Sequence, residues 1–376
     1  MEKEGTYFPK TDTQAYRLLE LVAVCGELPV GVTGRFIGST SYREKVIQNL
    51  KKEGLLRVYC RDKLRGYRLG RRAKAMLLMG NPVRFSFYLT GNTGTNQPRS
   101  VITRRLRLHR LAEVYVNMLN AGVVVYRDEK PAVFVANRFP LSCRSFEKPC
   151  FYASREVKEL GIEALKIKGS RMAGILLTHT TAFLTYNGGP YMAEWDYRAE
   201  QRAKALMQIV LCGKETGLGY TLDMLSGLLF GDSMETFYQI LSSKDSGTRC
   251  FFLLDGTYEH FYYLTNDHRG EVMLKLLCDP DRKGELDRIL SQDLNVGKIY
   301  GTIDSDAVDG NGEPVLFGYL LDIPRIHRFC NALQLQERHG RIICFDFQRE
   351  VLERCYGELV VFETISFEKF ERRFYP

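Results

Sequence analysis

The first third of the chain has the spacing of apolar side chains that is typical of amphipathic helices. Between residues 11 and 24 the apolar positions recur every three or four residues, and two threonines near the start are candidate N-caps. A Gly-Glu-Leu-Pro segment then interrupts the pattern. Residues 30–38 predict a brief second helix, so the chain begins with at least two short helical elements.

A third helical pattern covers residues 40–54, after a Gly-Ser-Thr turn. Tyr42, Val46 and Leu50 are spaced four residues apart, which predicts one buried apolar stripe. The opposite face carries polar and basic side chains that are candidate DNA contacts. They are Ser41, Arg43, Lys45, Gln48, Lys51 and Lys52. A helix fits the major groove of DNA, where side chains of these types reach base edges.

Residues 55–69 predict a two-stranded hairpin with a charged turn. This order of elements, three helices followed by a two-stranded hairpin, is typical of a winged helix-turn-helix module. Arg61, Lys63 and Arg65 at the turn are candidate contacts to phosphates or to the minor groove, because neutralising phosphates adds salt-dependent affinity.

Two further helices are predicted behind the hairpin, over residues 70–79 and 100–120. The second begins with a cluster of basic residues that extends the predicted DNA-contacting surface. Arg104, Arg105 and Arg107 are therefore added to the candidate DNA contacts.

The sequence divides into three predicted parts. Residues 1–90 form the winged-helix domain, residues 91–122 a linker with a connecting helix, and residues 123–376 a body. The polar loop Thr90–Pro98 is the candidate hinge. In the body, β-branched and aromatic runs alternate with helical patterns, which predicts a mixed α/β body and an α+β chain overall. The predicted strands include residues 123–129, 132–137, 174–186 and 250–255, and the last predicted helix lies near residues 367–374. A break near residues 213–248 is a candidate boundary between two subdomains.

The charge distribution separates the same regions. Residues 1–110 carry 22 Lys and Arg against 8 Asp and Glu, whereas the remainder carries 31 against 37. A basic excess confined to one segment indicates a module that binds a polyanion, joined to a nearly neutral body. A solvated basic surface without a partner is the alternative that composition leaves open.

Several other classes of protein are not favoured. The ten cysteines include no CxxC pair and mostly lie in apolar runs, which is typical of free thiols in a reducing compartment. No stretch reaches the ~20 apolar residues of a membrane span. The glycines of residues 213–219 lack the P-loop spacing, and the acidic residues 304–313 lack the EF-hand register. We therefore expect a cytoplasmic protein without membrane contact, metal or cofactor.

The N-terminal ~125 residues resemble the replication-relaxation family of plasmids and integrative conjugative elements. The hairpin Leu55–Leu69, the run YRLGRRAKAML from Tyr67 and the run RLHRLA from Arg107 carry this resemblance. It implies a role in replication or conjugative DNA processing of a mobile element. The implied partners are double-stranded DNA and relaxosome or replication proteins, and a homodimer is compatible with this role.

The C-terminal part resembles that family more loosely, through Glu194 and Asp196 at a strand-to-helix junction and Glu200 on the helix. The resemblance implies a restriction-endonuclease-type core, here in a degenerate form. A metal-dependent nuclease needs two or three convergent carboxylates and usually a lysine. The predicted strand over residues 174–186 has no acidic residue, and no lysine follows Asp196 at the required spacing. We therefore interpret the cluster as structural and do not expect catalysis.

Three functional hypotheses result from the sequence. The first is a DNA-binding protein of a mobile genetic element. The second is a winged-helix transcriptional regulator whose body senses a ligand or forms a dimer. The third is a divergent metal-dependent nuclease.

Overall fold

The computed structural model describes residues 8–93, 96–135, 146–190, 195–213, 218–242, 257–296, 303–358 and 360–376. It is an α+β structure with several sheets, as expected. The chain divides into two compact units. Unit 1 comprises residues 1–120 and 124–132, and unit 2 comprises residues 121–123 and 133–376.

Unit 1 is a helical assembly with a small antiparallel sheet in the order β1-β3-β2. Helix α1 is its centre and packs against α3, α4, α5, α6 and β3. The elements of unit 1 are α1 Gln14–Cys25, β1 Leu28–Pro29, α2 Thr33–Phe36, α3 Thr40–Lys52, β2 Leu56–Arg61, β3 Leu64–Leu69, α4 Arg71–Gly80, α5 Pro82–Leu89 and α6 Ile102–Asn120.

Helix α1 has the boundaries that its sequence signals require. The Thr13 side chain accepts a hydrogen bond from the Tyr16 amide, which confirms one of the two candidate N-caps. Gly26 ends the helix with a φ of 85°, a left-handed conformation that glycine adopts at low cost. Nearly every side chain between these caps is buried, so α1 forms the core of unit 1.

Strands β2 and β3 form a tight hairpin whose register pairs Arg61 with Leu64. The connection is the dipeptide Asp62-Lys63, and both residues have positive φ angles of 52° and 62°. Two positive φ angles are typical of the type I′ turn that matches the twist of a hairpin. The turn predicted from the sequence is thus only two residues long.

Helix α6 is an integral part of unit 1, which differs from the predicted connecting role. Its inward face, including Ala112, Tyr115 and Met118, is buried. The predicted hinge Thr90–Pro98 is therefore not a domain boundary in the described part of the chain, because the polypeptide re-enters the same unit after it. The units instead separate between residues 120 and 133.

Unit 2 begins with a five-stranded mixed sheet in the sequential order β4-β5-β6-β7-β8. Strand β5 is antiparallel to both neighbours, whereas β6, β7 and β8 are parallel. The elements are β4 Cys150–Ala153, α7 Ser154–Val157, β5 Gly174–Leu177, β6 Ala182–Gly189, α8 Tyr197–Cys212, β7 Leu225–Gly231, α9 Met234–Ser242 and β8 Phe261–Thr265. Every residue of β7 is buried, as expected for a central parallel strand.

A second sheet, in the order β12-β11-β10-β9, forms the rest of unit 2. Strands β9 and β10 are antiparallel, and β10, β11 and β12 are parallel. The elements are α10 His268–Leu277, α11 Pro280–Leu290, β9 Ala307–Val308, β10 Pro314–Phe317, α12 Ile323–Leu335, β11 Gly340–Phe345, α13 Asp346–Tyr356, β12 Val360–Ile365 and α14 Phe367–Phe374. The first sheet thus contains two antiparallel pairs and the second contains one, and each sheet ends in three parallel strands.

Three predictions for the body are wrong. Residues 174–186 form parts of two strands rather than one, because Thr178 turns the chain through hydrogen bonds with Thr181. The candidate boundary near residues 213–248 falls within one sheet, because β7 pairs with β6 on one side and β8 on the other.

The runs near residues 123–129 and 132–137 form no extended strand where they are described. The predicted strand over residues 250–255 lies outside the described residues.

No helix in the described ranges combines the length and the hydropathy that crossing a lipid bilayer requires.

Candidate nucleic-acid interface

The outer face of α3 presents most of the predicted polar residues to solvent. Val46, Ile47 and Leu50 anchor the helix in the core of unit 1. Exposed side chains on the other sides include Ser41, Lys45, Gln48, Lys51 and Lys52. Burial of one apolar stripe thus leaves a basic and polar surface along the whole length of α3.

Arg43 is half-buried and lies closer to the core side of α3 than the sequence pattern indicates. Its guanidinium group donates a hydrogen bond of 3.3 Å to the Thr40 hydroxyl. It also lies against Gly34 of α2, where a Cβ atom would come within 3.0 Å of Nη1. Glycine at this position therefore leaves room for the arginine between the two helices.

The tip of the β2-β3 hairpin carries three exposed cations, as predicted. Arg61, Lys63 and Arg65 all project into solvent from or beside the two-residue turn. Asp62 is 3.6 Å from Arg61 in an exposed ion pair, which is a weak interaction in water. The tip consequently keeps a net positive charge.

Cations of α3 and of the hairpin act on one buried tyrosine. Burial raises the pKa of Tyr67 on β3, and the positive charges of Arg65 and Arg43 act against this rise. Helix α3 also packs against strand β2, so the helix and the hairpin are neighbours within unit 1.

The cluster at the start of α6 is divided between surface and core. Arg104 and Arg107 are exposed. Arg105 is 0% exposed and His109, one turn later, is also buried. The prediction that Arg105 contacts DNA is therefore wrong, because a completely buried guanidinium cannot reach a ligand on the surface.

Arg105 instead pairs with the buried carboxylate of Glu27 and holds the hairpin. Its Nη2 lies 2.5 Å from Glu27 Oε1. The same guanidinium donates hydrogen bonds to the backbone carbonyls of Tyr59, Arg61 and Leu64, at 3.3, 3.2 and 2.9 Å. One side chain of α6 thus binds both strands of the hairpin close to its turn.

Glu27 is the centre of this buried network. Besides Arg105 it accepts hydrogen bonds from Arg68 at 2.6 and 2.8 Å, and its Oε1 is 2.8 Å from His109 Nε2. Burial alone would raise the pKa of Glu27, but hydrogen bonds from His109, Arg105 and Arg68 lower it to about 2. The carboxylate is therefore ionised at physiological pH. Its Oε1 would be 2.3 Å from a Cβ at position 66, which explains the glycine there.

Sequence analysis missed Glu27, Arg68 and His109 as supports of the hairpin. One signal was present, because Glu27 is an acidic residue between the apolar end of α1 and the dipeptide Leu28-Pro29. A charged residue in apolar surroundings is rarely buried unless it is paired, so Glu27 indicates a buried basic partner.

The acidic cluster of unit 2 has structural roles at two of its three members. Asp196 caps α8, since its Oδ1 accepts a hydrogen bond from the Ala199 amide at 3.1 Å. Glu200 is completely buried and accepts hydrogen bonds from the Ser170 hydroxyl at 2.7 Å and the Arg171 amide at 2.6 Å. Burial raises its pKa. Glu194 lies outside the described residues.

No group of three or more His, Cys, Asp or Glu side chains in the described ranges is arranged to hold a metal ion. Asp196 is the N-cap of α8, so its carboxylate is used to begin that helix.

Comparison of the chain with protein-family models, with characterised proteins and with solved structures gives no match.

Proposed function

We propose that unit 1 is a winged helix-turn-helix domain that binds double-stranded DNA. The observation that carries this proposal is that α3, with an exposed basic and polar face, packs against β2 of a hairpin whose tip is also basic. Exposed lysines continue along α3, and further cations occupy the hairpin tip.

In this proposal α3 is the recognition helix. Its exposed Ser41, Lys45 and Gln48 have donor and acceptor groups that match base edges in the major groove. Lys51 and Lys52, at the C-terminal end, are suited to phosphates on the flank of the groove. Glu44 lies between these cations and reduces the non-specific attraction of the helix.

The hairpin is the wing in this proposal, and its cations contact the phosphate backbone. A wing works only if its tip stays in place while α3 occupies the groove. The hydrogen bonds from Arg105 to carbonyls of both strands supply this support. A buried network of this kind fixes one geometry when all its members are satisfied.

We further propose that the protein acts in replication or conjugative DNA processing of a mobile genetic element, which is the role implied by the resemblance of unit 1. Relaxosome or replication proteins and a second copy of the chain are the partners that this role implies. A cytoplasmic location agrees with it.

For unit 2 we propose a degenerate restriction-endonuclease-type core. The mixed five-stranded sheet with helices between its parallel strands supports this assignment. Strands β5 and β6 contain no Asp, Glu or Lys, so they supply no residue for metal-dependent hydrolysis. The proposal therefore gives unit 2 no nuclease activity.

A chemical probe on the hairpin tests the proposed binding mode. Cys60 is exposed on β2 and accepts a thiol-reactive iron chelate that cleaves nearby DNA. The labelled full-length protein is expected to cut a selected duplex at one side of its site. The Cys60→Ser protein, labelled identically, is the control for attachment elsewhere. Cuts that persist in this control, or the absence of cuts in a bound complex, would contradict the placement of the wing on DNA.

A further inference from the structure

Tyr42 is an aromatic side chain that the core of unit 1 leaves out. It precedes the buried Val46 by four residues, and this spacing predicts that it is buried as well. In the structure the prediction is wrong, because Tyr42 is 48% exposed whereas Val46 is 7% exposed. In the part of the chain that the structure describes, the side chain of Tyr42 makes no ring contact and no hydrogen bond.

The position of Tyr42 on α3 indicates what its exposed ring can contact. At 100° per residue, Val46, Ile47 and Leu50 define the buried side, and Tyr42 falls on its flank, towards the outward-facing Ser41 and Lys45. Tyr42 is also in the first turn of the helix. In helix-turn-helix proteins the N-terminal residues of the recognition helix are those that contact base edges.

The chemistry of the major groove indicates what an exposed ring can recognise there. The thymine C5-methyl is the apolar group that the bases present in this groove, and apolar side chains contact it. The neighbours of Tyr42 on the outer face are a hydroxyl and an ammonium group, which suit polar base edges or phosphates. Tyr42 supplies the apolar surface that these neighbours lack.

We propose that Tyr42 is a specificity-determining residue that contacts the C5-methyl group of a thymine. This inference rests on the proposed function, because it requires α3 to lie in the major groove. The ring packs on the methyl group and excludes water from it, and the loss of that methyl weakens binding at one position of the site only.

Replacement of single thymines by deoxyuridine tests the inference, because it removes the methyl group and keeps the base pair. A duplex is first selected from random DNA with the full-length protein. Its affinity is then measured by fluorescence anisotropy for every single thymine-to-deoxyuridine change, with the wild type, Tyr42→Ala and Tyr42→Phe. Asn49→Ala, on the same flank of α3 but nearly two turns later, is the matched control.

The wild type is expected to lose affinity about three- to tenfold at one thymine per half-site, the size of one lost apolar contact. Tyr42→Phe and Asn49→Ala keep this loss, whereas Tyr42→Ala binds both duplexes equally. Because Tyr42 is exposed, the alanine variant is expected to keep the thermal stability of the wild type.

Other outcomes overturn the inference, and they separate it from the proposed function. A protein that binds the duplex but shows no thymine-dependent loss, or keeps it in Tyr42→Ala, has a recognition helix without this contact. Equal losses for Tyr42→Phe and Tyr42→Ala on all sequences assign the hydroxyl to a phosphate instead. Failure to select or bind any duplex refutes both the function and the contact.

Discussion

Glu27 and Arg105 form a completely buried ion pair, in which Arg105 Nη2 lies 2.5 Å from Glu27 Oε1. Glu27 follows Gly26, the residue that ends α1, whereas Arg105 belongs to α6. Since Arg105 also donates to carbonyls of both strands of the hairpin, this pair joins the core of unit 1 to the proposed wing. The position of the hairpin thus depends on a residue that does not itself reach DNA.

We predict that Arg105→Met destabilises unit 1 by about 3–5 kcal/mol, because it leaves the buried charge of Glu27 without its main partner. Because Arg68 and His109 still pair with Glu27, the loss of stability should lie near the lower end of this range. Scanning calorimetry of the full-length protein should show a lower Tm for the transition of unit 1. Hydrogen exchange should accelerate at the amides of residues 56–69.

Arg104→Ala is the matched control for this experiment, because Arg104 is the exposed neighbour of Arg105 on the same helix. It should change stability by no more than about 0.5 kcal/mol, as is usual for surface substitutions. Equal effects of the two substitutions would show that the buried network does not support the hairpin.

Substitutions on α3 and on the hairpin should have different effects on sequence preference. Gln48→Ala is expected to relax preference at one base pair by about 1–3 kcal/mol, the value of a bidentate base contact. Arg65→Ala should weaken binding to all sequences alike and reduce the salt dependence by about one phosphate contact. Binding measured over a panel of single-base variants distinguishes these effects. Identical profiles for the two variants would refute the division between base and phosphate contacts.

Stability of unit 2 should depend on pH through the pair His260 and Asp322. The hydrogen bond from His260 Nδ1 to Asp322 Oδ2, at 2.6 Å, raises the pKa of His260 despite partial burial. Glu259 adds to this rise and Arg328 opposes it. A raised pKa in the folded state means that the stabilisation is present below the unfolded pKa of about 6.5 and is lost as pH rises through the folded pKa.

His260→Phe keeps the ring stacked on Tyr262 but removes the titrating group. The difference in Tm between wild type and this variant should be larger at pH 5.5 than at pH 9. Burial lowers the pKa of His327, so this residue also makes stability depend on pH. Its contribution is the same in both proteins and cancels in the difference in Tm. A difference that is constant with pH, or larger at pH 9, would contradict the role given to His260.

The acidic cluster of unit 2 should stabilise α8 without supporting hydrolysis. We predict that the wild-type protein does not nick supercoiled plasmid with Mg²⁺ or Mn²⁺. Asp196→Ala should instead lower stability by about 1 kcal/mol, because it removes the N-cap acceptor of α8. Plasmid cleavage that is present in the wild type and lost in Asp196→Ala would make the nuclease hypothesis the leading one.

Local signals in the sequence predicted much of the fold. The N-cap at Thr13 and the amphipathic helix Phe367–Phe374 occur as predicted, because capping and apolar spacing act over a few residues. The polar face of α3 also agrees with its pattern. The turn at Thr178 was missed, since a Thr-rich turn between two apolar strands reads as one continuous strand.

Tertiary contacts decided the rest of the candidate site. Arg104, Arg105 and Arg107 look alike in the sequence, but Arg105 faces inwards, where Glu27 is a buried partner for its charge. The reverse holds for Tyr42, which has the spacing of a core residue but lies beyond the apolar surface that α3 buries. Helical periodicity identifies the buried face of a helix but not its exact edges, so a residue at the edge of that face can be buried or exposed.

The most direct test of the proposed function is the salt dependence of duplex binding by the full-length protein, with the wild type and a variant of reversed hairpin charge. The variant carries Arg61→Glu, Lys63→Glu and Arg65→Glu. A control with the same change of net charge reverses three exposed lysines of unit 2, Lys158, Lys168 and Lys369.

We predict that the affinity of the wild type falls linearly with salt on logarithmic axes, because bound phosphates release counterions. The hairpin variant should lose most of its affinity. Its slope of log affinity against log salt should be shallower by about 0.9 for each of about three lost phosphate contacts. The control should bind like the wild type. A wild type that does not bind at low salt, a slope near zero, or equal losses for the hairpin variant and the control would contradict DNA binding by unit 1.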